Sequence, residues 1–258
     1  MKPLRILNHA LWQVIGNAGQ VMRIIALPLA IGAVVVTLAL LQMRQVAAWG
    51  PGGPRVILLL LVLVVLLLTT WIAVNFHRMV LLGERFGWLP SLHRRETLGY
   101  VLQSLPLIIV LILVALMLSL VGLGVSRTLA VNGAPPRGLV TGLGLVMGLI
   151  VSTLGMRLLA MLPALAIGTT ISGAFAAMRG SWPTLAGLAV LMQLLQLIAL
   201  GVLRLVAGAM VGPGGHIRPA AGLTLLLTQL LLQGGLALVT ISVLTTLYGH
   251  YVQGRPLR

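Results

Sequence analysis

The side chains able to do chemistry in this 258-residue chain are few, and they gather in one place. His77, Arg78, Glu84 and Arg85 fall close together, and His93, Arg94, Arg95 and Glu96 follow within one short stretch. Beside a membrane, an arginine offers a phosphate or lipid headgroup a bidentate fork, and a neighbouring histidine adds a second donor. The plainer reading of the same residues is an interfacial helix whose charges meet lipid and water, with Glu84 bridging to a nearby arginine. Glu84 and Glu96 are the whole acidic inventory, against 17 lysines and arginines. Acid–base catalysis, carboxylate metal sites and proton-coupled pumping all draw on carboxylates. No Gly-x-Ser-x-Gly elbow and no His-Glu-x-x-His motif occurs, and a catalytic triad would need one of just two glutamates. No metal, no cofactor and no enzymatic role are expected.

The elements that must position these residues follow from composition. The chain is 59% hydrophobic, with a mean hydropathy of +1.13. A soluble protein could not solvate its surface with so few charges, so lipid is the expected solvent. The apolar runs are continuous rather than alternating, which excludes a β-barrel. The predicted fold is an all-α polytopic membrane protein, a single transmembrane domain over 1–258 with six helices arranged as three hairpins. The spans fall at about 24–42, 56–75, 101–122, 139–160, 184–207 and 221–247. Turns are expected at Trp49–Pro54, Asn132–Pro136 and Gly212–Gly215. With the N-terminus inside, eleven basic residues flank the inner ends and six the outer ones (Arg44, Arg55, Arg127, Arg137, Arg204 and Arg218). The positive-inside rule then places both termini in the cytoplasm of a bacterial inner membrane. Cysteine is absent, so no disulfide or thiolate site contributes. The formal charge of +15 is scattered singly around apolar segments and points to anionic lipid headgroups, not to nucleic acid.

Residues 1–23 read as an amphipathic interfacial helix, with Leu4, Leu7, Leu11, Ile15, Ala18 and Met22 on one face and Trp12 at the interface. The inner connections 76–100 and 161–183 have similar amphipathic character. In the second, Ile167, Ile171, Ala174, Phe175 and Met178 would face lipid or the bundle, with Arg179 and Trp182 near the headgroups. Gly83 and Gly168 correspond at an offset of 85, as do Arg94 and Arg179. This suggests three units, each an inner interfacial helix followed by a hairpin. Ser91, after Pro90, is a suitable N-cap for the helix that follows.

Within the spans, Gln193 and Gln196 lie at a similar depth to Gln229 and Gln233 in the antiparallel neighbour. Amides so placed either hydrogen-bond between helices or line a substrate path, and packing is the favoured reading. Gly144, Gly148, Ser152 and Gly155 form a small-residue face, for internal closure or for dimerisation. Arg157 either snorkels to the inner surface or points inward, where it would be the best candidate for an anion site. Arg85, Arg94, Arg95 and Arg179 complete the basic inner rim.

The run Asn75-Phe76-His77-Arg78 through Leu81-Leu82-Gly83-Glu84, the run Arg157–Ala164 and the closing Leu247-Tyr248-Gly249-His250-Tyr251 resemble a group of uncharacterised bacterial integral membrane proteins, mostly alphaproteobacterial. That group is related to the membrane domain that accompanies some glycerophosphoryl diester phosphodiesterases. The resemblance covers most of the chain and implies a fold, with no activity attached. The phosphodiesterase domain, which would bring metal-binding carboxylates, is missing. The function expected is a lipid-interacting scaffold or accessory subunit of a larger membrane complex or homo-oligomer. The alternative is a facilitator moving a small neutral or anionic molecule, or a lipid, through the bundle.

Overall fold

The computed structural model describes residues 1–46, 53–130, 136–210 and 221–257. Every regular element among them is helical. In chain order these are α1 (Lys2–Ile15), α2 (Ala18–Val46), α3 (Gly53–Leu82), α4 (Arg94–Thr128), α5 (Arg137–Leu159), α6 (Leu162–Ala166), α7 (Ser172–Ala177), a single 3-10 turn (Arg179–Ser181), α8 (Trp182–Met210) and α9 (Ala221–Tyr251). Six of them, α2, α3, α4, α5, α8 and α9, are long and apolar enough to cross a membrane. Consecutive spans pack together as α2–α3, α4–α5 and α8–α9, which gives the three expected hairpins. Contacts of α3 with α4 and α9, and of α5 with α8, join the hairpins. Of the expected turns, 49–52, 132–135 and 212–215 lie outside the described residues, as does Arg218, while Gly53 and Pro54 begin α3 instead of ending a turn.

Packing is concentrated at the end of the bundle that holds both termini. There the last turns of α3, the short α6 and the last turns of α9 touch one another pairwise, and the large buried side chains (Phe76, Met178, Leu185, Leu188, Leu247) gather around them. Towards the far end the spans turn apolar side chains outward. Leu59 is 70% exposed and Val62 66%, with Ile112, Leu116 and Val121 similarly placed on α4. In water such a surface would drive aggregation; in hydrocarbon it is the required boundary.

Three interfacial helices were expected at the terminal end, and the structure revises each. Helix α1 stops at Gly16, well short of 23, and it docks into the bundle rather than lying on it. Ile6, Leu7 and Ala10 are buried against α8 and α9, while Leu4, Trp12 and Ile15 of the expected apolar face are exposed. Pro3 presses on Gly187, where an added Cβ would come within 2.7 Å of the proline ring. The Ser242 hydroxyl donates to the Ala10 carbonyl at 2.8 Å. The connection 76–100 holds no interfacial helix, because α3 runs on through Leu82 and residues 83–93 form a strap. Gln20 Oε1 accepts from the Phe86 N–H at 3.0 Å, and Trp71 Nε1 donates to the Ser91 carbonyl at 3.0 Å, so the strap is tied to α2 and α3. His93 caps α4 in place of Ser91, with the left-handed φ of 38° that a non-glycine rarely adopts. In the connection 161–183 α6 is buried, and of the two faces left open Ala174 and Met178 take the bundle.

The offset of 85 has a structural counterpart. Gly83 and Gly168 both adopt positive φ (71° and 76°), and Gly254, 86 residues further on, does the same at 68°. Each ends the helical run that closes its hairpin, where a residue with a Cβ would pay for the left-handed conformation. At Gly168 the Thr169 N–H reaches back to the Ala164 carbonyl at 2.8 Å, closing the last turn. No neighbouring atom lies within 4 Å of a Cβ added there, so the strain is purely conformational. Gly168→Ala should therefore lower stability by about 1–2 kcal/mol, read from denaturant unfolding in micelles. Gly173→Ala, at an open helical glycine with no positive φ, is the control and should be neutral or slightly stabilising.

Candidate functional site at the terminal end

Helix α3 carries His77 and Arg78 into the terminal end on adjacent positions, so their side chains leave the helix in different directions. Arg78 meets the strap. Its Nε and Nη2 donate to the two carboxylate oxygens of Glu84, at 2.9 and 2.5 Å, in a bidentate pair. Its Nη1 donates to the Ala166 carbonyl at 3.0 Å, at the C-terminus of α6, and lies 3.9 Å from Glu96. His93 Nε2 sits 3.6 Å from the other side of Glu84. The guanidinium hydrogen bonds outweigh partial burial and hold the Glu84 carboxyl below its ordinary value of 4.5. Both glutamates of the chain are thus turned onto one arginine. Of the two readings of this stretch, the bridge from Glu84 to a nearby arginine is the one observed, and it fills the Arg78 fork from within the protein.

His77 is fully buried, so it cannot serve a headgroup either. Its Nδ1 lies 2.7 Å from Thr245 Oγ1, and its Nε2 lies 3.3 Å from the Tyr100 hydroxyl, whose ring stacks on the imidazole. Thr245 gives its only hydroxyl proton to the Ile241 carbonyl at 2.7 Å. The histidine must therefore donate from Nδ1 to Thr245 and accept from Tyr100 at Nε2. This chain of bonds fastens α3 to α4 and α9. Two positions earlier, buried Asn75 donates to the Trp71 carbonyl at 2.8 Å, while its Oδ1 has no partner among the described residues.

Arg157 does point inward and is buried, and aromatic rings cover its guanidinium. Its guanidinium is stacked between Phe175 at 4.8 Å and Trp182 at 4.4 Å, and Nη1 donates to the Met178 carbonyl at 3.4 Å. Stacking of this kind is favourable for a desolvated guanidinium and pins α5 to α7 and the start of α8. Arg85, Arg94, Arg95 and Arg179 are exposed, as the basic rim requires. No family model, curated protein or solved structure matches this chain.

The four amides are not brought together. Gln193 packs on Gly148 of α5 and donates to the Leu145 carbonyl at 3.5 Å, and Gln196 is exposed. Gln229 and Gln233 are half-buried, and no hydrogen bond joins them to α8 among the described residues. The small face of α5 closes internally, through Gly148 on α8 and Gly155 against Leu111 of α4. Sequence reasoning passed over Tyr100, Thr245, Gln13 and Arg255. Arg255 donates to the Val80 and Leu81 carbonyls at 3.2 and 2.6 Å, capping α3 from the C-terminal tail. Its position directly after a helix-ending glycine was the available signal.

Proposed function

We propose that the chain is a non-enzymatic membrane protein that contacts anionic lipid through its terminal end, as a scaffold or accessory subunit in a bacterial inner membrane with both termini cytoplasmic. One observation carries the reading. The strap exposes Trp88 (71%), Leu89 (79%) and Leu92 between the exposed Arg85 on one side and Arg94 and Arg95 on the other, while both carboxylates are occupied by Arg78. Apolar residues flanked by uncompensated arginines suit the boundary between acyl chains and headgroup phosphates. Kinship with the uncharacterised bacterial membrane proteins belongs to the same proposal and rests on the sequence runs. The facilitator reading draws no support from the scattered glutamines.

Each arginine near an anionic surface is worth about 1 kcal/mol. In nanodiscs of mixed phosphatidylglycerol and phosphatidylcholine, the wild-type chain should retain phosphatidylglycerol preferentially by native mass spectrometry. Replacing Arg85, Arg94 and Arg95 together by glutamine should cut that preference by about tenfold or more. Equal retention of the two lipids by the wild type would sink the proposal. Copurification with a larger complex after mild solubilisation tests the accessory role separately.

A further inference from the structure

Helix α1 turns a polar stripe into the protein. His9 and Gln13 of α1, with Asn17 just beyond its end, recur at four-residue spacing, on a different side from the exposed Leu4, Trp12 and Ile15. An amphipathic helix lying on a membrane would give that stripe to bulk water. Here it lines a cleft of about 390 Å³, half open, whose other walls are Met79–Leu81 at the end of α3, Thr245, Thr246, Gly249 and His250 of α9, and the tail Arg255–Leu257. That volume lies within the range of small-ligand sites, roughly 300–1,000 Å³.

The chemistry of the cleft is that of donors. Among the described residues no carboxylate lines it, and both glutamates are held on Arg78. Gln13 Oε1 accepts from the Thr246 hydroxyl at 3.2 Å and lies 2.9 Å from the Ser242 hydroxyl, whose single proton also faces the Ala10 carbonyl at 2.8 Å. The two N–H groups of Gln13 are left without a hydrogen bond to the described residues. Arg255 spends two of its five N–H groups on the Val80 and Leu81 carbonyls and keeps three. His250 Nδ1 donates to the Arg255 carbonyl at 3.0 Å, and Arg5 Nη2 reaches the Leu257 carbonyl at 3.5 Å, so the tail that carries the guanidinium is tied down at two points. A guanidinium and an amide line the same space, at the end of the spans where phosphates of a bilayer are densest.

We propose that this cleft between α1, α9 and the C-terminal tail binds a phosphate oxyanion, with Gln13 and Arg255 as its donors. The site shares no residue with the arginine rim and does not depend on the lipid-contact reading. The oxyanion is supplied either by a lipid headgroup or by soluble phosphate.

The test is calorimetric titration of the full chain in a non-ionic detergent, with inorganic phosphate in one arm and a monomeric short-chain phosphatidylglycerol in the other. Saturable binding at one site per chain is expected in at least one arm, and the arm that binds identifies the source. Gln13→Glu keeps an oxygen for the Thr246 hydroxyl, replaces the amide donor by an acceptor and adds a negative charge, so it should weaken binding by about tenfold or more. Asn17→Asp, at the exposed mouth, adds the same charge where packing is not at stake and should weaken binding less but measurably. It stands as the deciding variant if Gln13→Glu does not fold. Replacing Arg85, Arg94 and Arg95 by glutamine should leave the affinity within about twofold, since long-range charge is screened. Absence of saturable binding in both arms overturns the proposal, as does binding that survives the acidic substitutions unchanged.

Discussion

His77→Ala should destabilise the bundle by about 3 kcal/mol, the largest loss expected from a single polar substitution in this chain. Two effects add. Removing the ring empties a fully buried site against Tyr100, and it breaks the bonds to Thr245 and Tyr100 that hold three helices together. The Tyr100 hydroxyl would then be buried without an acceptor. The partners should cost less. Tyr100→Phe loses a 3.3 Å bond but keeps the stacked ring, for about 1 kcal/mol, and Thr245→Val strands the Nδ1 proton, for about 1–2 kcal/mol. The measurement is denaturant unfolding of each variant in the same micelle. If His77→Ala costs no more than Tyr100→Phe, the imidazole is not the node of the network. A double substitution, His77→Ala with Tyr100→Phe, should cost less than the sum of the two, because both remove the same bond.

The span pattern was legible because lipid imposes it: about twenty apolar residues per crossing leave little freedom, and Leu/Val-rich α3 could be nothing else. Gly83 and Gly168 were legible only as a correspondence at an offset of 85; that each ends a helix in a left-handed conformation came from the structure. What failed was the reading of amphipathicity. Leu4, Leu7, Leu11 and Ile15 satisfy a helical period, but a period names a face without naming what covers it. In α1 the buried face is rotated towards Ile6 and Ala10 because Pro3 seats on Gly187 and Ser242 binds the backbone at Ala10. The bridge from Glu84 to a nearby arginine was legible, but the headgroup alternative fails for a related reason. His77 and Arg78 look like one headgroup site in sequence, yet adjacent helical positions diverge by about 100°, sending one to Thr245 and the other to Glu84. Partners more than a hundred residues away, as Thr245 is from His77, leave no periodic trace.

The second large effect belongs to Arg78, and it is asymmetric across the pair. Arg78→Gln leaves Glu84 part-buried without its bidentate donor, releases Glu96 and uncaps the carbonyl of Ala166, so about 2–3 kcal/mol should be lost at pH 7. The side chains are 14% and 30% exposed, which keeps the cost below that of a fully buried pair. Glu84→Gln should cost only about 1 kcal/mol, since Arg78 keeps the Ala166 carbonyl and Glu96. Acid discriminates further. Because the folded carboxyl of Glu84 titrates below 4.5, the unfolded chain takes up its proton first as pH falls. The stability conferred by the pair is therefore complete above about pH 4.5 and disappears as pH drops through the lower folded value. Wild type should lose stability across that window, and Glu84→Gln should lose less because it has no carboxyl at this position. In Arg78→Gln the residual burial works in the opposite direction, raising the carboxyl instead of lowering it, so the acid-dependent loss should flatten or reverse. Unfolding midpoints at pH 7 and pH 3.5 for the three proteins make the comparison. An acid-dependent loss of equal size in all three would mean that the Arg78–Glu84 bridge is not what joins the strap to the bundle.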